Sequence, residues 1–164
     1  MNVKDAMKHS LKSTQNMLEM YLSDLSDADL LVRPVPGANH IAWQLGHLIN
    51  SERMLTTSNI PGSAYPELPA GWGDQHSKNT ASMDPPKGFA TKAQYLSLFN
   101  KTREATLAAL GKLSDTDLDK PTTGQIAKHV PTLGALFLMH STHVMMHAGQ
   151  FTVVRRKLGK PVLF

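Results

Sequence analysis

The stretch Leu133-Gly-Ala-Leu-Phe-Leu-Met-His140-Ser-Thr-His143-Val-Met-Met-His147-Ala-Gly-Gln150-Phe-Thr-Val-Val-Arg155-Arg-Lys-Leu158 decides the fold. Pro131 starts the helix that carries it, which runs to Leu158, and Gly159 and Pro161 stop it. Proline suits the first turn of a helix and glycine its end, so these residues bracket one long helix. At about 1.5 Å per residue it spans roughly 40 Å, the height of a helical bundle. Successive residues turn by about 100°, so with His140 at the origin His143 falls at about 300° and His147 at about 340°. Leu133, Leu136, Val144, Phe151, Val154 and Leu158 share that face. Three imidazoles therefore sit in a core-facing stripe where a bundle normally sets leucine. A polar ring taken out of water costs free energy until it finds partners. His143 and His147, at i and i+4, can point at one ion. A hydrogen bond for each ring is the competing reading. Two ligands make a weak site, so a third has to come from another helix.

Three further helices are legible upstream. Residues 1–33 lack proline and glycine, and Leu11, Leu18, Leu22 and Leu25, with Met7 and Met17, recur at helical spacing. This predicts a first helix over about residues 2–24. Arg33-Pro-Val-Pro-Gly37 reads as a turn. Asn39 reads as the cap of a second helix running to Ser58. Residues 59–90 carry Pro61, Pro66, Pro69, Pro85, Pro86, Gly62, Gly71, Gly73 and Gly88. They predict a long loop, a lid or a linker. Thr91 opens a third helix with Tyr95, Leu98, Phe99, Leu107 and Leu110, ending near Gly111 or Lys112, and a second loop spans 114–130.

Leu25-Ser-Asp-Ala-Asp-Leu30 matches Leu113-Ser-Asp-Thr-Asp-Leu118 at an offset of 88 residues, and Leu45-Gly46 and Leu48 match Leu133-Gly134 and Leu136 at the same offset. A common helix-end phrase recurring by chance is the alternative. The fixed offset favours a duplicated helical hairpin. Four amphipathic helices without period-two runs give an all-α four-helix bundle, a single domain over residues 1–164, with a long loop between helices two and three.

Composition narrows the function. The 164 residues are 41% hydrophobic and 18% charged, which is a globular and not a disordered balance. The chain has no cysteine, which excludes a disulfide scaffold, a zinc ribbon and a thiol nucleophile, and points to a reducing compartment. A net charge of +4 falls short of a nucleic-acid footprint. No segment reads as a signal peptide or a membrane span, so a cytoplasmic protein without nucleic-acid or membrane partners is expected. Glu-x-x-His, His-Glu-x-x-His, phosphate-loop, dinucleotide and Gly-x-Ser-x-Gly motifs are all absent.

Helix two offers His40 and His47. Ile41, Leu45, Leu48 and Leu55 define its apolar face, and His47 lies off centre, on the side of Trp43 and Met54. Spacing alone does not select it. Glu52 shares the Ile41–Leu45–Leu48 face. It reads equally as a buried acid behind a ligand or as an exposed residue near the helix end.

Ile41-Ala-Trp-Gln-Leu-Gly-His47-Leu, preceded by Arg33-Pro-Val-Pro-Gly-Ala and followed by Ser51-Glu52, resembles the second helix of the DinB/YfiT-like superfamily. His143-Val-Met-Met-His147-Ala-Gly-Gln150 resembles its last helix. Both halves appear in order, about 100 residues apart. The resemblance covers essentially the whole chain. It implies that His47, His143 and His147 hold a divalent metal, with zinc, nickel and iron all suited to imidazole. Gln150 corresponds to the family's glutamine one turn beyond the last ligand, a packing residue or a support for the ligands. His140 lies outside the family triad and is a candidate cavity residue or alternative ligand. Trp43 is a further cavity candidate.

Three histidines leave a coordination position open, the mark of a catalytic site. The family includes transferases and isomerases that use a low-molecular-weight thiol, and metal-dependent hydrolases. The resemblance thus implies a thiol-dependent S-transferase, or a hydrolase, acting on a small-molecule electrophile. Because the chain lacks cysteine, the thiol must be external. The alternative is a non-catalytic, stress-associated bundle in which the metal is structural. The resemblance also implies a homodimer. In the long loop, Trp72 reads as an anchor more than a cavity lid, beside Asp74 and His76. Arg155, Arg156, Lys157 and Lys160 read as a solvated helix end.

Overall fold

A computed structural model describes residues 1–84, 86–161 and 163, so Pro85 of the long loop lies outside the described residues. Four long helices form: α1 (Val3–Leu22), α2 (Ile41–Asn59), α4 (Lys92–Lys112) and α5 (Leu133–Lys157), with a one-turn α3 (Trp72–Gln75) inside the long loop. No strand forms among the described residues; Pro121 and Thr132 make one isolated bridge. Each long helix starts on a side-chain cap. Asn2 accepts from the Asp5 amide, Thr91 and Gln94 form a reciprocal capping box, and Thr132 accepts from Ala135. The cap of α2 is His40, whose ring accepts from the Trp43 amide, and not Asn39. The imidazole nitrogen substitutes for the usual oxygen, and Asn39 lies one residue outside. Pro131 likewise stands one residue before the true cap, Thr132.

The helices pack in a ring: α1 lies along α5 and α4, and α2 lies along α4 and α5. The two helices of each sequence repeat therefore face each other across the core, where a simple hairpin would set them side by side. The connectors 23–40 and 113–132 are long enough for this crossing, and each contains 3-10 turns.

The repeat is visible in the contacts. Ser26 and Asp29 exchange hydrogen bonds of 2.8 and 3.2 Å, and Ser114 and Asp117 repeat them at 2.8 and 3.2 Å. Lys92 Nζ donates to the Leu25 carbonyl, and Lys4 Nζ donates to the Leu113 carbonyl. Every pair is related by the 88-residue offset, so the duplication read from the sequence is a pseudo-twofold in space.

The core is layered. Leu18, Leu22, Ile41, Leu45, Leu48, Tyr95, Phe99, Val144, Phe151 and Val154 fill one end, and Met7, Leu11, Leu110, Leu118 and Phe137 fill the other. Between them each long helix contributes buried polar groups: Thr14, Glu52, Arg103 and His140. The long loop folds onto α2 and α4 and buries Trp72 and His76 there. Trp72 is thus an anchor.

Candidate metal centre

His47 on α2 and His143 and His147 on α5 come together near one end of the α2–α5 seam. Their candidate ligand nitrogens all lie within 4.8 Å of one another. His147 Nε2 and His143 Nε2 are 3.2 Å apart. The His47 ring meets those of His143 and His147 at centroid distances of 5.2 and 5.5 Å. An ion with nitrogens about 2.1 Å away in tetrahedral array needs them roughly 3.4 Å apart. The α5 pair is already near that spacing, and the His47 nitrogen lies within 4.8 Å of both. His147 is buried, and the other two are half-buried.

Electrostatics favours neutral rings. Burial first, then the neighbouring histidines, lowers His147 to about 3 and His143 to about 4, and burial followed by the charge of Lys78 lowers His47. Metal ligation requires neutral imidazole, so the environment prepares the right protonation state. Gln44 settles the tautomer of His147. Its Nε2 donates to the Asn39 carbonyl at 2.9 Å, which turns its Oε1 to His147 Nδ1 at 2.7 Å. Nδ1 therefore carries the proton, and Nε2 offers its lone pair to the cluster. Trp43 stacks on His47 at 5.1 Å with the planes 5° apart. No carboxylate joins the cluster among the described residues. The donor set is three neutral nitrogens, which fits a borderline divalent transition ion.

His140 is buried deeper along the seam, with Nε2 3.0 Å from Thr56 Oγ1. Glu52 is buried, not exposed at a helix end. It accepts from Arg103 Nη2 at 2.9 Å and from Thr106 Oγ1 at 2.6 Å. Arg103 Nη1 donates to the Leu11 carbonyl at 2.8 Å, and the Tyr65 hydroxyl lies 2.8 Å from Thr106 Oγ1. Gln150 is exposed and lines a groove of about 410 Å³ with Asn39, Gln44, Pro34, Val35 and Val153. Arg155 departs from the solvated reading of the basic cluster. It is buried, bonds Asp24 and the Tyr21 carbonyl, and ties α5 to the end of α1.

Sequence reasoning missed Gln44, Arg103, Thr106 and Tyr65. Gln44 had a usable signal, since it stands one helical turn before His47. Arg103 had none: a lone arginine on an amphipathic helix reads as a surface residue until its partner is known.

YfiT from Bacillus subtilis, described as a probable metal-dependent hydrolase with an unusual four-helix bundle topology, superposes with a TM-score of 0.67 at 18% identity, covering 96% of this chain and 89% of YfiT. A conserved protein from Enterococcus faecalis superposes with a TM-score of 0.65 at 17% identity, covering 98% and 99% of the two chains. At these identities the likeness is one of fold. No curated protein matches the chain. The DinB superfamily model matches residues 10–151, which include most of α1 and α5, all of α2 and α4 and the three clustered histidines, and on that match this chain belongs to the DinB superfamily.

Proposed function

We propose that this chain is a metal-dependent enzyme in which His47, His143 and His147 hold one divalent transition ion, zinc, nickel or iron. Its reaction is transfer of an external low-molecular-weight thiol to a small electrophile. One observation carries this reading. Three neutral imidazoles lie with their candidate ligand nitrogens within 4.8 Å of one another, and among the described residues no carboxylate joins them. A cation bound by three nitrogens supplies charge that lowers the pKa of a thiol or a water in the open position.

The chain's own residues support that chemistry. Gln44 holds the Nδ1 proton of His147 and aims its other nitrogen inward. Trp43 covers one face of His47 and keeps water from it. The field of Lys78, felt at His47, favours an anionic nucleophile such as a thiolate. The groove beside Gln44, lined by Asn39 and Gln150, offers their side-chain amides to an incoming small molecule. The thiol comes from outside, since the chain has no cysteine. Its sulfur bonds to the electrophilic carbon, the leaving group departs with its electron pair, and the thiol proton passes to solvent. A thiol-rich reducing compartment such as the cytoplasm suits this reaction. No helix among the described residues is long and apolar enough to cross a membrane.

Hydrolysis by water at the same position is a second reading, favoured by the description of YfiT. Elemental analysis of natively purified protein, followed by assay of the metal-loaded chain against thiols paired with electrophiles, tests the proposal. Stoichiometric metal with thiol consumption is the expected result. Turnover without thiol selects the hydrolase. Bound metal with a large stability loss on chelation and no turnover selects a structural metal.

A homodimer is part of the same reading. Residues 129–154 contain no Asp, Glu, Lys or Arg, and Leu138, Met145, Met146 and Val153 lie exposed on α5. An uncharged outer stripe of this kind suits a second copy of the chain. Light scattering at several concentrations checks it.

A further inference from the structure

Residues 72–77 of the long loop grip the turn of α2 that leads into His47. Trp72 Nε1 donates to the Gly46 carbonyl at 3.2 Å, and Trp43 Nε1 donates to the Ser77 carbonyl at 3.0 Å. His76 fills the notch that Gly46 leaves: a Cβ there would lie 2.0 Å from its Cδ2 and 2.2 Å from its Nε2. Only glycine admits the ring so close to the helix backbone. Both ring nitrogens are held. His76 Nδ1 lies 2.8 Å from the Trp72 carbonyl, so it carries the proton, and Nε2 accepts from the Tyr95 hydroxyl at 2.8 Å. The residue before His47 and the residue one turn earlier are thus both fixed by one buried histidine and its neighbours. Trp43, so fixed, stacks on the His47 ring.

The pseudo-twofold supplies an internal control. Gly134 is the counterpart of Gly46 and also admits a close neighbour, the Leu118 carbonyl at 3.3 Å from a built Cβ. The counterpart of His47 is Ala135, and no loop histidine packs there. Close approach at the glycine is common to both halves. Among the described residues, the histidine clamp occurs at the glycine that directly precedes a candidate ligand and not at its counterpart, which precedes an alanine.

We propose that His76, seated against Gly46 and anchored by Tyr95, is a positioning residue for His47, setting the orientation of that imidazole and hence the affinity of the three-histidine site for its ion. The proposal rests on the reading of His47 as a ligand. It is tested with the metal-free full chain, titrated with Co2+ alone and followed by visible absorption, with thermal melting of the metal-free protein in parallel. His76→Phe and Gly46→Ala are each expected to weaken Co2+ binding about 10- to 100-fold, the range for residues that orient a ligand, and to alter the cobalt spectrum. Tyr95→Phe removes one hydroxyl, leaves the core packed and is expected to weaken binding by about tenfold at most. In a His76→Ala background, Gly46→Ala should add little further loss, because the two changes act through one contact. Lower melting temperatures with unchanged affinity and spectrum in all variants overturn the positioning role and leave the ligand reading intact. Failure of the unaltered chain to take up Co2+ overturns both.

Discussion

Two polar regions interrupt the apolar core, and they solve the same problem differently. In the central layer Glu52, Arg103 and Thr106 satisfy one another, with Leu11 and Tyr65 completing the set, and His140 bonds Thr56. In the cluster on the α2–α5 seam, His143 and His147 have each other's Nε2 atoms as neighbours, Gln44 bonds His147 Nδ1, and His47 makes ring contacts with Trp43, His143 and His147. The first region pairs its buried charges within the chain, with Arg103 Nε left unpartnered among the described residues. The second brings three imidazoles together without a counter-charge, the arrangement proposed above to hold a cation. What separates the two is the chemistry of the groups brought together: a charge pair in the first, three neutral imidazoles in the second.

Removing a ligand breaks the contrast most sharply. His143→Ala or His147→Ala should abolish stoichiometric metal while leaving the metal-free fold in place, measured by elemental analysis and melting. The central layer should behave in the opposite way. Glu52→Gln leaves Arg103 buried without its counter-charge, at a cost of about 3–5 kcal/mol in denaturant unfolding. Metal stoichiometry should persist wherever that variant remains folded.

Acid sharpens the picture next. Burial lowers His140 to about 4, with Glu52 raising and Arg103 lowering its pKa to lesser extents. Burial and then Arg33 lower His40 to about 4, with Asp84 opposing. The unfolded chain takes up protons at these rings near pH 6.5, and the folded chain does not until about pH 4. Their contribution is therefore complete above pH 6.5 and is lost as the pH falls through about 4. Over that window each ring contributes roughly 1.4 kcal/mol per pH unit. Chemical denaturation at stepped pH, with the metal removed, reads this slope. A flat profile would show that these rings are solvated.

Smaller effects follow. Gln44→Leu removes the acceptor that orients His147 and should weaken metal binding about 10- to 100-fold without disturbing the central layer. Thr91→Ala removes the α4 cap far from both regions and should cost about 1 kcal/mol with unchanged metal affinity.

The layered core explains what was legible beforehand. Leucine spacing, proline and glycine punctuation and the repeated Leu-Ser-Asp phrase are local signals, and they mark helix positions within a residue or two. His143 and His147 were legible because both lie on one helix face. His47 was not selected by periodicity, because α2 is buried on more than one side. Neighbouring helices cover the Ile41–Leu45–Leu48 face, and the long loop packs against Gly46 and Trp43. A rule that assigns each helix one buried face fails when a loop supplies a second. The diagonal placement of α1 against α2 was equally hidden, since connector length permits that crossing without requiring it.

The sequence by itself determined the helices, their starts to within two residues, the duplication and the paired imidazoles of the last helix, because each depends on spacing along one segment. Only the tertiary structure decided that Glu52 would pair with Arg103, that His76 would enter the notch at Gly46, and that His47 would meet His143 and His147. Those outcomes depend on which faces of separate helices and loops come to share a volume from which water is excluded, and no single segment carries that information.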